Sequence, residues 1–257
     1  MGVSKVLFKK NESLRPKPAD LLLNMNKKTS FTESIKSIRT NLAFSEVDKK
    51  MQVILVTSAQ PGDGKSFISA NLALAYKDEG KKTLLIDADL RCGRQNKIFR
   101  VVNSANRGYS NLILNYQEAS TSKSKKTADF DIKDYIVKTK QGIDLIPNGP
   151  TPPNPIELLA SNNNEKVIAQ LKKMYDIIII DCTPVLGISD AIVMTKYSDA
   201  NILVVSNKKT KLELVSRVEK VFSQSHATLT GVVINKVDVS EGGYYGYYSN
   251  SYYGESE

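Results

Sequence analysis

Apolar residues occur in short uninterrupted runs along the middle of this 257-residue chain, separated by segments with apolar positions at helical spacing. The runs predict strands at Val53–Thr57, Thr83–Asp87, Ile143–Ile146, Ile177–Asp181, Ile202–Val205 and Val232–Ile234. Between them, Phe67–Tyr76 and Lys211–Ser223 have the spacing of amphipathic helices. Strands that are apolar throughout and alternate with helices are typical of a parallel sheet covered on both faces. The pattern therefore predicts a single α/β domain, doubly wound, with a mostly parallel sheet and helices on both faces.

A further helix is predicted from Phe31 onward, where Ile35, Ile38 and Leu42 share one face. Thr32 is in position to cap its start.

Outside the domain predicted over 31–240, both ends of the chain are polar and weakly patterned. Residues 1–30 are predicted to be a basic, flexible arm in which Leu21–Leu23 dock locally. Residues 241–257 are rich in glycine, tyrosine and serine, which predicts a disordered tail. The Ser/Lys/Thr-rich segment Gln117–Asp131 is predicted to be a loop.

The chain carries a net charge of +9, with many of its basic residues in the arm. Such segments meet anionic lipid, nucleic acid or an acidic partner, or simply lie in solvent. Basic and aromatic residues are not interleaved as a platform for bases, so we expect no nucleic-acid partner. The sequence has no apolar run long enough to span a membrane and no signal-peptide pattern. We therefore expect a cytoplasmic protein whose two cysteines, Cys92 and Cys182, are reduced thiols.

The segment Ala59–Ser66 reads AQPGDGKS and lies between a predicted strand and a predicted helix. This is a phosphate-binding loop with alanine at its first position. Glycines let backbone N–H groups approach the phosphates, Lys65 reaches the β- and γ-phosphates, and the Ser66 hydroxyl is a Mg²⁺ ligand. The segment predicts a site for ATP and Mg²⁺ formed by Gln60, Pro61, Gly62, Asp63, Gly64, Lys65, Ser66 and Phe67.

Three aspartates follow predicted strands. Asp87 and Asp89 come at the end of the second strand, and Asp181 ends the fourth. In an open α/β sheet, ligands bind at the carboxyl ends of the strands. One such aspartate alone would serve equally well as a helix cap. Three of them beside a phosphate loop favour a Mg²⁺ site.

The phosphate loop, an Asp-x-Asp-x-Arg segment ending at Arg91 and an Asp-x-x-Pro segment ending at Pro184 occur in that order. Together with Pro152-Pro153-Asn154-Pro155, they resemble the bacterial tyrosine kinases (BY-kinases), relatives of the MinD/ParA ATPases, from Phe31 to the C-terminus. The resemblance implies that Lys65 and Ser66 hold the phosphates and Mg²⁺, and that Asp89 and Asp181 complete the metal shell. It also implies that Asp87 receives the tyrosine proton, with Lys65 and Asp89 assisting catalysis, and that Asn235 lies near the adenine.

Six of the twelve tyrosines lie in the last fourteen residues, which read YYGYYSNSYYGESE. By the resemblance, the phosphoacceptors are Tyr244, Tyr245, Tyr247, Tyr248, Tyr252 and Tyr253. The family's oligomerisation motif corresponds to Glu33, Lys36 and Arg39, with lysine in place of the middle arginine. Those three residues are equally consistent with an exposed charged helix face.

The resemblance implies an ATP-dependent tyrosine autokinase that acts between subunits of a ring and regulates capsular or extracellular polysaccharide synthesis and export. It also implies a separate transmembrane activator that recruits the kinase to the inner face of the membrane, and a cognate tyrosine phosphatase.

Three alternatives remain open at this stage. A MinD/ParA-type ATPase switch shares the strand-end motifs, but its signature lysine is Gln60 here. The segment Asn235-Lys236-Val237-Asp238 matches the guanine-reading motif of GTPases, without an accompanying Asp-x-x-Gly. Finally, a tyrosine- and glycine-rich tail can act as a scaffold without being phosphorylated.

Overall fold

The computed structural model describes residues 2–5, 22–27, 29–44, 51–101, 107–121, 130–207 and 209–237. The strands are β1 (Gly2–Lys5), β2 (Val53–Ser58), β3 (Thr83–Asp87), β4 (Val137–Lys138), β5 (Asp144–Ile146), β6 (Ile177–Asp181), β7 (Ala200–Ser206) and β8 (Gly231–Asn235). The helices are α1 (Ser30–Phe44), α2 (Lys65–Asp78), α3 (Gln95–Ile98), α4 (Tyr109–Thr121), α5 (Pro155–Ala160), α6 (Asn162–Lys172), α7 (Asp190–Met194) and α8 (Leu212–Gln224). Short 3₁₀ helices cover Ile132–Tyr135 and Thr195–Tyr197.

Within the described residues, the strands form one sheet in the order β1-β8-β7-β2-β6-β3-β5-β4. All neighbouring strands are parallel except β4 and β5. The predicted doubly wound, mostly parallel sheet is therefore confirmed. Strand β6 pairs with both β2 and β3, so the carboxyl ends of these three strands lie side by side. Strands β7 and β8 end on the other side of β2.

The central strands are buried on both faces, which explains their continuous apolar sequences. In β2, Val53 and Leu55 belong to one core layer, while Ile54 and Val56 belong to the other. Helices α4, α6 and α8 contribute to the first layer, and α1 and α2 contribute to the second. Among the helices in the described ranges, none combines the length and the apolar character needed to cross a bilayer.

Helix α1 has the predicted apolar face, because Ile35, Ile38 and Leu42 are all buried. The predicted cap was wrong by one turn. The helix begins at Ser30, and the Thr29 hydroxyl accepts a hydrogen bond from the Thr32 backbone N–H at 3.3 Å. The Thr32 hydroxyl instead donates to the Lys27 carbonyl at 2.6 Å.

Two pieces of the arm predicted over residues 1–30 contact the domain in the structure. Gly2–Lys5 pairs in parallel with β8 and covers backbone groups that a sheet edge would otherwise leave unpaired. Met25 is buried, and the Leu23 N–H donates to Asn71 Oδ1 at 2.8 Å. Leu22 and Leu23 pack against the core, which confirms the predicted local docking for these two residues.

The loop predicted at Gln117–Asp131 is wrong in its first part, because α4 continues to Thr121. The helix is fixed by an apolar face that contains Tyr109, Leu112 and Ile113, all fully buried. The segment 122–129 and the tail predicted over 241–257 lie outside the described residues.

The packing of α8 generates a stability prediction. Phe222 is 1% exposed and contributes to the core layer, whereas Lys220 on the same helix is exposed. Replacing Phe222 by alanine removes a large buried ring and leaves a cavity, so we expect the free energy of unfolding to fall by about 3–5 kcal/mol. Urea denaturation monitored by circular dichroism measures this change. Lys220→Ala is the matched control, with an expected change within about 0.5 kcal/mol. Equal losses in the two variants would contradict the described packing.

Candidate active site

The phosphate loop connects β2 to α2, and its conformation depends on two glycines. Gly62 and Gly64 have φ angles of +89° and +106°, in the left-handed region that other residues rarely adopt. A Cβ atom on Gly64 would lie 2.0 Å from Asn235 Nδ2, so a side chain there has no space. Helix α2 begins at Lys65. Its first backbone N–H groups have no partner within the helix, which is the usual arrangement for binding phosphate.

The side chains of the three predicted metal ligands converge on the Lys65 ammonium. Lys65 Nζ lies 2.9 Å from Asp89 Oδ2, 3.4 Å from Asp181 Oδ1 and 3.4 Å from Ser66 Oγ. Burial of the ammonium disfavours its charge, but the carboxylates of Asp181 and Asp89 outweigh this and raise the pKa of Lys65. The structure therefore brings together the lysine and the metal ligands that the sequence predicted separately.

This set of oxygen donors fits Mg²⁺, which prefers carboxylate and hydroxyl oxygens and keeps several ligands for water and phosphate. The Lys65 ammonium shows that a cation is accommodated between Asp89 and Asp181. Within the described ranges, no three His, Cys, Asp or Glu side chains form a ready-made metal cage.

Asp87, the predicted base, lies beneath this site and is fully buried. Its Oδ1 accepts from the Asp89 N–H at 3.3 Å, and its Oδ2 accepts from the Gln95 N–H at 2.9 Å. Burial, together with the nearby Asp181 carboxylate, raises the pKa of Asp87 to about 8. A Cβ atom on Gly93 would lie 2.7 Å from Asp87 Oδ2, so the turn at Gly93 covers the carboxylate closely.

Gln95 was missed by the sequence analysis, although it contacts three parts of the site. In addition to its backbone bond to Asp87, its Nε2 donates to Asp181 Oδ2 at 2.8 Å and to the Ser66 carbonyl at 3.0 Å. Glutamine has no chemistry of its own that would mark it in a sequence. Its helix, α3, is only four residues long and has no recognisable periodicity.

The phosphate loop is also held from the β7 and β8 side of the sheet. Asp63 is fully buried, and its Oδ1 accepts from the Thr210 hydroxyl at 2.8 Å. Asn235 Nδ2 donates to the Asp63 carbonyl at 2.8 Å, and Lys236 Nζ donates to the Gly62 carbonyl at 2.6 Å. We refer to these contacts of Asp63, Thr210, Asn235 and Lys236 as the loop clamp. Its members Thr210 and Lys236 were not predicted as site residues, because only the fold brings them next to the loop.

The remaining predicted nucleotide-binding residues lie in the loop or directly after it. Gln60 Nε2 lies 3.4 Å from the Lys209 carbonyl and from Thr210 Oγ1. Pro61 is exposed, and Phe67 is partly buried against the core layer that includes α1.

Arg91 forms a two-point ion pair with Asp190, at the start of α7. Arg91 Nε and Nη2 donate to Asp190 Oδ2 and Oδ1 at 3.0 and 3.3 Å, and Asp190 is fully buried. Arg91 is therefore engaged by a carboxylate in this structure. Both cysteines are free thiols, as predicted, with Cys182 buried and Cys92 exposed.

The three predicted oligomerisation residues make contacts within the chain. Lys36 Nζ lies 3.2 Å from Glu33 Oε1, one turn apart on α1. Arg39 Nη1 donates to the Ala75 carbonyl at 3.0 Å, and its Nε lies 3.7 Å from Glu79 Oε2. Arg39 thus joins α1 to the end of α2. The six predicted phosphoacceptor tyrosines lie outside the described residues.

The loop clamp generates a prediction about nucleotide binding. Thr210→Val removes a hydroxyl that donates to the buried Asp63 carboxylate and accepts from the Ser206 N–H at 3.0 Å. Leaving a buried carboxylate short of a donor costs about 1–3 kcal/mol. We expect the displaced loop to bind ADP with Mg²⁺ at least tenfold more weakly, or about 1.4 kcal/mol, as measured by isothermal titration calorimetry.

The matched control is Thr228→Val, the same substitution at an exposed position before β8, at the end of the strand opposite the loop. This variant should bind ADP as the wild type does. An unchanged affinity for Thr210→Val would show that the clamp does not set the loop conformation.

This chain is similar to a family model and to several known proteins. A family model described as an AAA domain matches residues 51–232. The tyrosine-protein kinase YwqD of Bacillus subtilis (strain 168) is 33% identical over 217 residues, covering 84% of this chain and 86% of YwqD. The tyrosine-protein kinase CpsD of Streptococcus agalactiae is 32% identical over 232 residues, covering 90% and 93% of the two chains.

Solved structures agree with these matches. The chimerical protein CapA2B2 is 31% identical with a TM-score of 0.77, covering 92% of this chain and 94% of that protein. The kinase domain of the Escherichia coli tyrosine kinase ETK has the same TM-score at 26% identity, covering 92% and 91%. Because sequence and structure match over most of both chains, this chain belongs to the bacterial tyrosine-protein kinases.

Proposed function

We propose that this kinase transfers the γ-phosphoryl group of ATP to tyrosines Tyr244, Tyr245, Tyr247, Tyr248, Tyr252 and Tyr253 of a neighbouring copy. One observation carries the proposal: Ser66, Asp89 and Asp181 converge on the ammonium of Lys65 at the ends of adjacent strands. Positioning and charge neutralisation account for most of the catalysis in phosphoryl transfer, and this cluster is suited to both.

Each residue has a defined task in this reaction. The phosphate loop binds the phosphates through backbone N–H groups, and Lys65 exchanges its carboxylate partners for phosphate oxygens. Ser66, Asp89 and Asp181 hold Mg²⁺, which neutralises charge on the phosphates when bound. The Asn235 side chain donates to the Asp63 carbonyl of the loop. Its assignment to the adenine rests on the family resemblance alone.

Asp87 accepts the proton of the attacking tyrosine. Burial and the Asp181 carboxylate raise the pKa of Asp87, which makes its ionised form a stronger base. The carboxylate has no exposed surface beneath the turn at Gly93, so this role requires the turn to open.

Phosphorylation of the tail changes its charge strongly, because each phosphate adds about −1.5 to −2. Several phosphates convert the tail into a polyanion, which favours its release from the neighbouring active site. We infer that this is the assembly switch of a ring-forming kinase controlling capsular or extracellular polysaccharide. A separate membrane activator and a tyrosine phosphatase complete the system.

In the proposed ring, Arg39 keeps its contacts with α2, which leaves Glu33 and Lys36 for contacts between subunits.

The phosphotransfer is tested by intact-mass analysis after incubation with ATP and Mg²⁺. We expect several added phosphates on the wild type and none on Lys65→Met, which lacks the phosphate-binding ammonium. Lys81→Met, an exposed site after α2, is the matched control and should be phosphorylated like the wild type. A variant with all six tail tyrosines changed to phenylalanine should gain little or no phosphate. ATP hydrolysis without any protein phosphorylation would instead favour the alternative of a MinD/ParA-type ATPase switch.

Transfer between subunits is tested by mixing two variants, neither of which can phosphorylate its own tail. The six-phenylalanine variant has an intact active site without acceptors, and Lys65→Met has acceptors without an active site. We expect the mixture to phosphorylate the Lys65→Met tail, at a rate that rises with the concentration of the other variant. If the wild-type protein is phosphorylated but the mixture of the two variants is not, each chain modifies only its own tail.

A further inference from the structure

Gln95 is buried at the centre of the site and connects three of its parts. Its backbone N–H bonds Asp87, while its side-chain amide bonds both the Asp181 carboxylate and the carbonyl of Ser66. These contacts link β3, β6 and the start of α2, which carry the predicted base and two predicted metal ligands. Ser69 in α2 makes a similar pair of contacts, since its hydroxyl donates to the Lys65 carbonyl at 2.9 Å and lies 3.4 Å from Asp181 Oδ1.

The orientation of the Gln95 amide follows from its partners. Asp181 Oδ2 and the Ser66 carbonyl both accept hydrogen bonds and cannot donate them. Rotating the amide would place Oε1 against these two oxygens, where it would be repelled. The NH₂ group therefore faces Asp181 and Ser66, which leaves Oε1 on the other side of the amide.

Oε1 itself is buried and has no hydrogen-bond partner among the described residues. A buried acceptor of this kind is rare in native proteins and calls for a donor. The contacts of Gln95 with the two predicted Mg²⁺ ligands are therefore made by its NH₂ group, and Oε1 takes no part in them.

We propose that Gln95 is a positioning residue that orients Asp181 and Ser66 for Mg²⁺ through the two hydrogen bonds of its NH₂ group. This inference rests on the proposed function, since it assumes that Mg²⁺ and nucleotide bind at the phosphate loop. It goes further by assigning the metal dependence of binding to a residue outside the recognised motifs.

If Gln95 had only a structural role, its side chain would be needed to hold α3 in place. Ile98 and Phe99 already anchor α3 in the core, with exposures of 3% each. An apolar side chain of similar length at position 95 would keep that packing and lose only the hydrogen bonds. A structural role and a metal-positioning role can therefore be distinguished by comparing ADP binding with and without Mg²⁺.

The experiment measures ADP binding by isothermal titration calorimetry, with Mg²⁺ and with a chelator, for full-length protein. The variants are Gln95→Met, which is apolar, and Gln95→Asn, which keeps the amide but is one methylene too short to make both hydrogen bonds. Lys97→Met is the matched control on the exposed side of α3. The melting temperature of each unliganded protein is recorded, and Gln95→Asn serves if Gln95→Met does not fold.

We expect the gain in ADP affinity caused by Mg²⁺ to fall by about tenfold or more in both variants, as is typical of residues that orient metal ligands. ADP binding without Mg²⁺ should change less than about twofold, and Lys97→Met should match the wild type. An unchanged Mg²⁺ effect, or equal losses with and without Mg²⁺, would overturn the proposal. Failure of the wild type to bind ADP at all would instead overturn the proposed nucleotide site.

Discussion

Three carboxylates gathered at one edge of a sheet repel each other, and the Lys65 ammonium is what balances them in this structure. Asp89 and Asp181 contact it directly, and its charge also acts on Asp87 beneath them. The arrangement depends on strand order, because β6 lies between β2 and β3 and brings its aspartate between the phosphate loop and Asp87. Neutralising these charges with Mg²⁺ would free Lys65 to contact phosphate. The same lysine can therefore pair with the carboxylates when no nucleotide is bound and with the phosphates when it is.

The phosphate loop is supported from both sides of its strand. Gln95 reaches it from the β3 side, and the loop clamp reaches it from the β7 and β8 side. Such support matters because backbone N–H groups bind phosphate only when the loop is already held in position. The clamp also places the end of β8 against the loop, because Lys236 donates to the Gly62 carbonyl.

Much of the site could be predicted from sequence because its residues form local motifs. The loop segment has fixed spacing, and each strand-end aspartate directly follows an apolar run. Errors arose where contacts are distant in sequence. Asp190 pairs with Arg91 across 99 positions, and Asn235 meets Asp63 across 172, so neither contact leaves a local pattern. Strand β1 was not predicted for the same reason, since it is defined by pairing with β8.

The sequence by itself determined the class of sheet, the phosphate loop and the three acidic strand ends. Periodicity and short motifs are encoded by neighbouring residues, so they can be recognised without knowing the fold. Only the tertiary structure decided that Ser66, Asp89 and Asp181 face a single ammonium, that Arg39 joins α1 to α2, and that Gln95 belongs to the site. These relations depend on strand order and on the direction of side chains, which long-range packing sets.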